Sequence, residues 1–151
     1  MSEHIDTITI YTDGGCSGNP GPGGWAFVLG GDEGSKVEKN GGEKLTTNNK
    51  MELTAVIEAL TLASSFTPKQ INVYTDSQYV KNGITVWIAA WKKKGWKTSS
   101  KAPVKNKEYW ERLDALVQGL PVAFHWVKGH AGIELNERCD ALVQEAIDQY
   151  R

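Results

Sequence analysis

The sequence predicts an α/β fold, in which strands and helices alternate over one sheet. Three strand-like segments follow one another through short connections at the start of the 151-residue chain, which favours an antiparallel meander. The remainder alternates segments of helical period with short apolar segments, which is typical of crossover connections between parallel strands. A chain of this length can bury most of its unfolded surface in one core. We therefore expect one domain over residues 1–151.

The first part of the chain is predicted to contain three strands and a helix. β-branched and aromatic residues make 5–12 a strand, and 25–29 and 35–45 continue the meander. Glycine, proline and asparagine at 14–24 indicate a turn between the first two strands. A helix is expected over about 50–64, after four N-cap candidates at 46–49. Its apolar positions recur at helical spacing: Leu53, Val56, Ile57 and Leu60.

In the second part of the chain, another strand is expected directly after this helix. A helical crossover implies a parallel partner, and the first strand is the natural one. A later helix is expected to begin near Asn136, a possible N-cap residue. The predicted elements are, in order, a strand at 71–75, helix at 77–91, a basic excursion at 92–106, helix at 107–118, a strand at 122–127 and helix to about 149.

Two strands end in nearly the same way. Ile8–Asp13 reads ITIYTD and Ile71–Asp76 reads INVYTD. Paired in register, parallel strands ~4.8 Å apart would bring both aspartates to one sheet edge. Two carboxylates at that spacing repel by roughly 3 kcal/mol at an effective dielectric of 20. Either one of them takes up a proton or a cation lies between them, so a divalent metal site is the hypothesis.

Three further residues are candidates for chemistry. Glu52 lies early in the first long helix and Asp140 one turn into the last, where acids ordinarily compensate the helix dipole. His130 lies between glycines in a loop, which favours an acid–base role over core packing. The glycine-rich turn lacks the pattern of a phosphate-binding loop, so no nucleotide cofactor is expected.

Charge is unevenly distributed along the chain. The net charge is -1, yet residues 92–107 contain seven lysines and no acid, with Trp87, Trp91 and Trp96 before or among them. Cations interleaved with aromatic rings suit a nucleic-acid backbone. A solvated lysine face over packed tryptophans is the alternative. With two cysteines, no membrane span and no leader, a cytoplasmic protein with reduced thiols is expected.

Taken together, these segments resemble the bacterial type 1 ribonuclease H family. The resemblance rests on four segments in that family's order and covers about residues 5–149. The basic insertion that begins WKKKGWKT is similar to the family's basic handle, here about 88–107. The four segments are YTDG followed by NPGPGG, then TTNNKMEL, then TDSQYV, and finally WVKGHAG followed by NERCD.

The resemblance implies a ribonuclease H-like fold and its activity. The sheet would have five strands in the order 3-2-1-4-5, the first three antiparallel, with helices on both faces. Asp13, Glu52, Asp76 and Asp140 would bind up to two Mg²⁺ ions with substrate, Mn²⁺ being a possible substitute, and His130 would move protons. The implied reaction is endonucleolytic cleavage of the RNA strand of an RNA–DNA hybrid by a monomer. It leaves 5′-phosphate and 3′-hydroxyl ends and needs little sequence preference.

The same resemblance implies contacts to each strand of the hybrid. Helix capping is the alternative for Asn48 and Asn49, and Trp110 and Trp126 are expected to serve packing. The implied RNA-strand contacts are Gly14, Cys16, Asn19, Asn48, Asn49 and Gln78, besides Glu52. The implied contacts to the DNA strand and along the handle are Thr47, Asn82, Trp87, Trp91, Lys92, Lys93, Lys94, Trp96 and Lys97.

Three other classes compete with this hypothesis. A non-catalytic hybrid-binding domain would have lost the carboxylates, and all four are present. Transposases, integrases and junction-resolving nucleases share the fold and the acids, but the NNKME and DSQ segments and the handle favour hybrid hydrolysis. A purely structural domain leaves the two Asp-ended strands unexplained.

Overall fold

The chain forms five strands and flanking helices, described here from a computed structural model. The structure describes residues 5–31, 34, 36–97, 104–127 and 134–151, with only the backbone of 134–136. The elements are β1 (Thr7–Cys16), β2 (Gly21–Gly31), β3 (Lys36–Thr46), α1 (Asn48–Ser64), β4 (Gln70–Thr75), α2 (Gln78–Asn82), a π turn (Gly83–Trp87), α3 (Ile88–Lys93), α4 (Lys107–Gly119), β5 (Val122–Trp126) and α5 (Glu134–Gln149).

The sheet confirms the predicted fold class. Its order is β3-β2-β1-β4-β5, with β1 antiparallel to β2 and β2 antiparallel to β3. β4 lies parallel to β1 and to β5. The pairs Ile8–Ile71 and Tyr11–Tyr74 set the register that the two similar segments predict. Strand β1 is therefore central, and its C-terminal end lies beside that of β4.

The predicted turn at 14–24 is wrong at both ends. Residues up to Cys16 continue β1 and residues from Gly21 begin β2, so only 17–20 connect them. Glycines in this segment provide space for close packing, since a Cβ on Gly24 would lie 2.8 Å from Ala146 Cβ of α5. The high glycine content of this segment therefore reflects close packing against the strands, not a long loop.

The core lies on both faces of this sheet. α1 packs on β1 and β2 and also contacts α4 on one face, while α5 covers β1, β2 and β3 on the other. The side chain of Trp110, from α4, is fully buried, as its predicted packing role requires. Residues of α1 at helical spacing are fully buried beneath the sheet: Leu53, Val56, Ile57 and Leu60.

Helical structure at 77–91 is interrupted. A π turn at Gly83–Trp87 separates α2 from α3. Gly83 lies directly against the ring of Trp110, and a Cβ there would overlap its Cη2. The glycine therefore allows this segment to approach α4 closely. Turns of this kind are frequent at functional sites.

Gly83→Ala is expected to destabilise the protein by about 1–3 kcal/mol, since the new methyl group would force Trp110 or the π turn to move. In a chain of this size, that loss lowers Tm by several degrees, at roughly 2–4 °C per kcal/mol. Thermal unfolding followed by circular dichroism measures it. Gly119→Ala is the matched control, because a Cβ there meets nothing within 4 Å. Equal Tm values for the two variants would contradict the packing argument.

Helix α5 begins at Glu134, so Asn136 lies within the helix and the prediction that it is the N-cap is wrong. The exposed guanidinium of Arg138 donates to both carboxylate oxygens of Glu38, at 2.9 and 3.1 Å, and joins α5 to β3.

Within the described ranges, every helix is too short or too polar to cross a membrane.

Candidate active site

Two acids meet where β1 and β4 run side by side. Tyr11 pairs with Tyr74, and the same offset along both chains brings Asp13 and Asp76 level. Asp76 follows the last residue of β4, and both side chains are half-buried. One carboxylate oxygen of each lies within 4.8 Å of the other. This juxtaposition is the one that the two Asp-ended segments predict.

A third acid joins them from α1. Glu52 is the fifth residue of that helix and only 5% exposed, so the helix-dipole interpretation of this residue is wrong. One of its carboxylate oxygens lies within 4.8 Å of an oxygen from Asp13 and from Asp76. Its Oε1 is buried without a hydrogen-bond partner. An unpartnered buried carboxylate oxygen is costly, and it is a ready ligand for a cation.

The electrostatics of the cluster reflect crowded negative charge. Burial, followed by the charge of Asp76, raises the pKa of Asp13 to about 6, and the charge of Asp140 adds to the shift. The backbone N–H of Gly14 donates to Asp13 Oδ1 at 2.9 Å and opposes it. Burial and then the charges of Asp13 and Asp76 raise the pKa of Glu52. A bound divalent cation would relieve this repulsion, and three carboxylates fit Mg²⁺.

Asp140 and His130 differ from these three. Asp140 lies exposed on α5, outside the three-carboxylate cluster, yet its charge acts on Asp13. It is therefore near enough to Asp13 for their charges to interact. His130 lies outside the described residues, as does the handle segment 98–103.

The cluster opens into a polar cleft of about 460 Å³. Of the predicted RNA-strand contacts, Gly14, Asn48, Asn49 and Gln78 line it together with the three acids. Ser77 and Tyr79 also line the cleft, and sequence reasoning missed both. A signal for Ser77 was available, since a serine after a strand-end acid is a typical N-cap. Its Oγ accepts from the backbone N–H of Val80 at 3.1 Å and begins α2.

One of the four predicted N-cap candidates at 46–49 caps α1. Thr47 is the N-cap, and its Oγ1 accepts from the Lys50 backbone N–H at 3.3 Å. The side-chain oxygen of Asn19, in the turn at 17–20, accepts from the Asn48 N–H at 3.1 Å. Asn48 and Asn49 follow the cap within the first turn, so capping does not account for their side chains.

Cys16 lies apart from the residues that line the cleft. Its Sγ is 3.2 Å from Gly21 O and 3.3 Å from Thr46 O, and burial raises its pKa. The thiol therefore stays protonated and joins β1, β2 and the end of β3. Its predicted RNA contact would have to come from its main chain.

The handle contains both packed tryptophans and exposed lysines. The rings of Trp87, Trp91 and Trp96 are half-buried and pack in series, with centroids 5.8 and 6.1 Å apart. Trp87 and Trp91 also line a groove of about 320 Å³ that includes Lys105. The lysines predicted to bind nucleic acid are exposed: Lys92, Lys93, Lys94 and Lys97.

Lys92 and Trp126 each have a charged partner, and Asn82 lies beside the π turn. Lys92 Nζ lies 3.3 Å from Asp114 Oδ2 of α4, so part of its charge is already balanced. Asn82 ends α2 half-buried, one residue before the π turn. Trp126 lies under the ammonium of Lys81, 5.1 Å from its ring centroid. Its role is thus a cation–π contact at the end of β5.

The family model described as RNase H matches residues 6–148. The chain belongs to the ribonuclease H family. It is 55% identical to the ribonuclease H of Bradyrhizobium diazoefficiens over 152 residues, covering 100% of this chain and 96% of that protein. Against the ribonuclease H of Agrobacterium fabrum the identity is 53%, covering 99% of this chain and 98% of the relative. The predicted kinship with bacterial type 1 enzymes is confirmed.

Solved structures of the ribonuclease H family share this fold. One, LC9-RNase H1, a type 1 RNase H with the type 2 active-site motif, superposes with a TM-score of 0.85 at 31% identity, covering 97% of this chain and 74% of that one. Another is LC11-RNase H1 in complex with an RNA/DNA hybrid, with a TM-score of 0.70 at 29% identity, covering 94% of this chain and 97% of that one.

Proposed function

We propose that this ribonuclease H is an endonuclease that hydrolyses the RNA strand of RNA–DNA hybrids, with little sequence preference and with 5′-phosphate and 3′-hydroxyl products. The observation that carries the proposal is the cluster of Asp13, Glu52 and Asp76 at the mouth of a polar cleft. Such a cleft, lined by amides as well as acids, suits a phosphodiester backbone. The hybrid bound by a family relative supports the choice of substrate.

The donor set fits Mg²⁺, with Mn²⁺ as a substitute. Asp13, Glu52 and Asp76 would hold one ion, and Asp13 with Asp140 would hold a second when substrate is present. Bound in this way, the ions would activate water and stabilise the leaving oxygen, as in other two-metal sites. Glu52 brings its unpartnered Oε1 to the first of these sites. His130 would carry protons.

Groups around the cluster would distinguish the two strands. The 2′-hydroxyl is the group that separates RNA from DNA at a given site. Asn48, Asn49 and Gln78 line the cleft with amides that can both donate to and accept from it. Gly14, Cys16 and Asn19 would add contacts to the RNA strand from β1 and its turn.

The handle would receive the DNA strand. Thr47, Asn82, Trp87 and Trp91 would follow the phosphate and sugar backbone, with Trp96 supporting the aromatic series. Residues 1–151 would act as one catalytic domain and as a monomer, with the handle at 88–107 as its main source of affinity. Such contacts carry no sequence information, which is why weak sequence preference is expected.

Incubation with labelled substrates tests the proposal. RNA–DNA hybrid, double-stranded DNA and double-stranded RNA are compared in Mg²⁺ and in EDTA. We expect cleavage of the RNA strand of the hybrid in Mg²⁺ only, with 5′-phosphate ends distinguished from 3′-phosphate ends by a 5′-phosphate-dependent exonuclease. Cleavage of DNA, or hybrid cleavage that persists undiminished in EDTA, would overturn the assignment.

Replacing Lys92, Lys93 and Lys94 with alanine is expected to weaken hybrid binding and to flatten its dependence on salt. Each lysine that contacts a phosphate contributes about one to the slope of log K against log salt. Because Lys92 pairs with Asp114, a reduction of about two is expected from the three changes. Fluorescence anisotropy over a salt series in EDTA measures the slope.

Three exposed lysines outside the handle provide the control: Lys36, Lys39 and Lys69. Their replacement removes the same charge and should leave the slope nearly unchanged. If the handle variant kept the original slope, the handle would serve solubility and not substrate binding.

A further inference from the structure

Gly14 of β1 lies in close contact with the backbone of α1, beside the three acids. A Cβ built on Gly14 would lie 2.5 Å from Glu52 N, 2.5 Å from Met51 C and 2.7 Å from Met51 O, where ordinary contact begins at 3.4 Å. The obstructing atoms belong to the helix backbone, so no side-chain rotation would relieve the overlap. Only a residue without a side chain fits here.

Backbone freedom is not the reason for this glycine. The φ angle of Gly14 lies outside the left-handed region, unlike those of Gly18 and Gly95. Extended β1 geometry would suit most residues at this position. What the position requires is the close approach of a strand to a helix.

The contact lies between two of the acids. Asp13 directly precedes Gly14, and Glu52 supplies the helix atom that a Cβ would strike. The N–H of Gly14 also donates to Asp13 Oδ1 at 2.9 Å and orients that carboxylate. One residue thus fixes both the distance between β1 and α1 and the direction of one carboxylate.

We propose that Gly14 is a positioning residue that sets the separation between the carboxylates of Asp13 and Glu52. This inference rests on the proposed function, because it assigns that spacing to a cation. A methyl group at 14 would move α1 away by about 0.9 Å, the difference between the observed and ordinary contact distances. Mg²⁺ tolerates little such displacement, since it requires near-ideal octahedral ligands at ~2.0–2.1 Å.

Gly14→Ala is therefore expected to weaken Mg²⁺ binding by about 10–100-fold, the usual effect of disturbing the support of a metal ligand. Calorimetric titration of the full chain with Mg²⁺ alone measures it. Turnover in fixed Mg²⁺ should fall in parallel, while affinity for hybrid in EDTA, to which Gly14 offers only its main chain, should fall much less than Mg²⁺ affinity does. A merely structural defect would not separate metal affinity from hybrid affinity in this way.

Gly15→Ala is the matched control on the next residue of the same strand. Its Cβ would meet Val143 Cγ1 at 3.4 Å and Ile147 Cδ1 at 3.8 Å, which are ordinary contacts. We expect it to bind Mg²⁺ and to turn over hybrid like the unmodified protein. Equal Mg²⁺ affinity in Gly14→Ala and Gly15→Ala would overturn the positioning role.

Two further outcomes have distinct meanings. If the unmodified protein bound no Mg²⁺, the proposed function would fail, and the positioning role with it. If Gly14→Ala failed to fold by circular dichroism, Glu52→Asp would decide, because it withdraws the carboxylate by one methylene and leaves Gly14 intact. A comparable loss of Mg²⁺ affinity supports the spacing argument, and unchanged affinity refutes it.

Discussion

Asp13→Asn is expected to lower kcat by roughly 1,000-fold or more, corresponding to about 4 kcal/mol of transition-state stabilisation. The change keeps the size of the side chain and removes the charge of the acid on the central strand. A carboxylate oxygen of Asp13 lies within 4.8 Å of one from Glu52 and one from Asp76, and the charge of Asp140 also acts on Asp13, so its loss should weaken cation binding strongly. Initial rates on labelled hybrid in saturating Mg²⁺ measure the loss.

Hybrid binding should survive this substitution. The cleft amides and the handle remain, so Kd measured in EDTA is expected to change by less than about threefold, and in the direction of tighter binding because negative charge is lost near phosphate. Asp148→Asn is the control, because that exposed acid pairs only with neighbours on α5 and at the C-terminus among its described contacts. Wild-type kcat in Asp13→Asn would refute the central role of this carboxylate.

The sequence predicted the sheet and the pairing of Asp13 with Asp76 because both are encoded locally. Each strand carries its own β-branched and aromatic pattern, and the two similar segments fix a common register. The crossover through α1 then leaves only parallel pairing. The positions of these two acids follow from such rules with little tertiary information, whereas the full strand order was implied by the family resemblance.

Glu52 could not be placed in the same way. Its position early in α1 is equally consistent with an exposed acid near a helix start, and burial depends on how closely α1 approaches β1. That approach is set by Gly14, whose requirement appears only once the helix lies against it. The sequence patterns alone therefore did not decide the role of Glu52, and its assignment as a metal ligand came from the family resemblance.

The error at 14–24 and the π turn that was not predicted within the helical region at 77–91 have a common cause. Glycine was interpreted as a turn former or ignored, whereas here it marks close packing. Because Gly24 has no side chain, α5 packs directly against the sheet there. In the same way, the ring of Trp110 packs directly against Gly83 in the π turn. Neither contact leaves a periodic signal, since the partner lies far away in sequence.

In EDTA, the free energy of unfolding is expected to fall as pH rises from about 4 to about 6. The folded-state pKa of Asp13 is about 6, above its ordinary value of 3.8, so the folded protein binds more protons in this window. Stability then decreases with rising pH, by at most roughly 3 kcal/mol from this residue. Glu52 acts in the same direction, because its pKa is also raised. Urea titrations at closely spaced pH values measure the slope.

Mg²⁺ should reverse this loss, because cation and proton compete for the same carboxylates. At ten times its Kd, Mg²⁺ adds about 1.4 kcal/mol, or roughly 3–5 °C in Tm, at pH 7.5. At pH 5 the folded cluster holds a proton on Asp13, so the same Mg²⁺ concentration should raise Tm much less. Asp13→Asn should flatten the pH dependence in EDTA and abolish most of the Mg²⁺ shift. An equal Mg²⁺ shift at both pH values would show that the ion binds elsewhere, because only a site built from these acids couples its occupancy to their protonation.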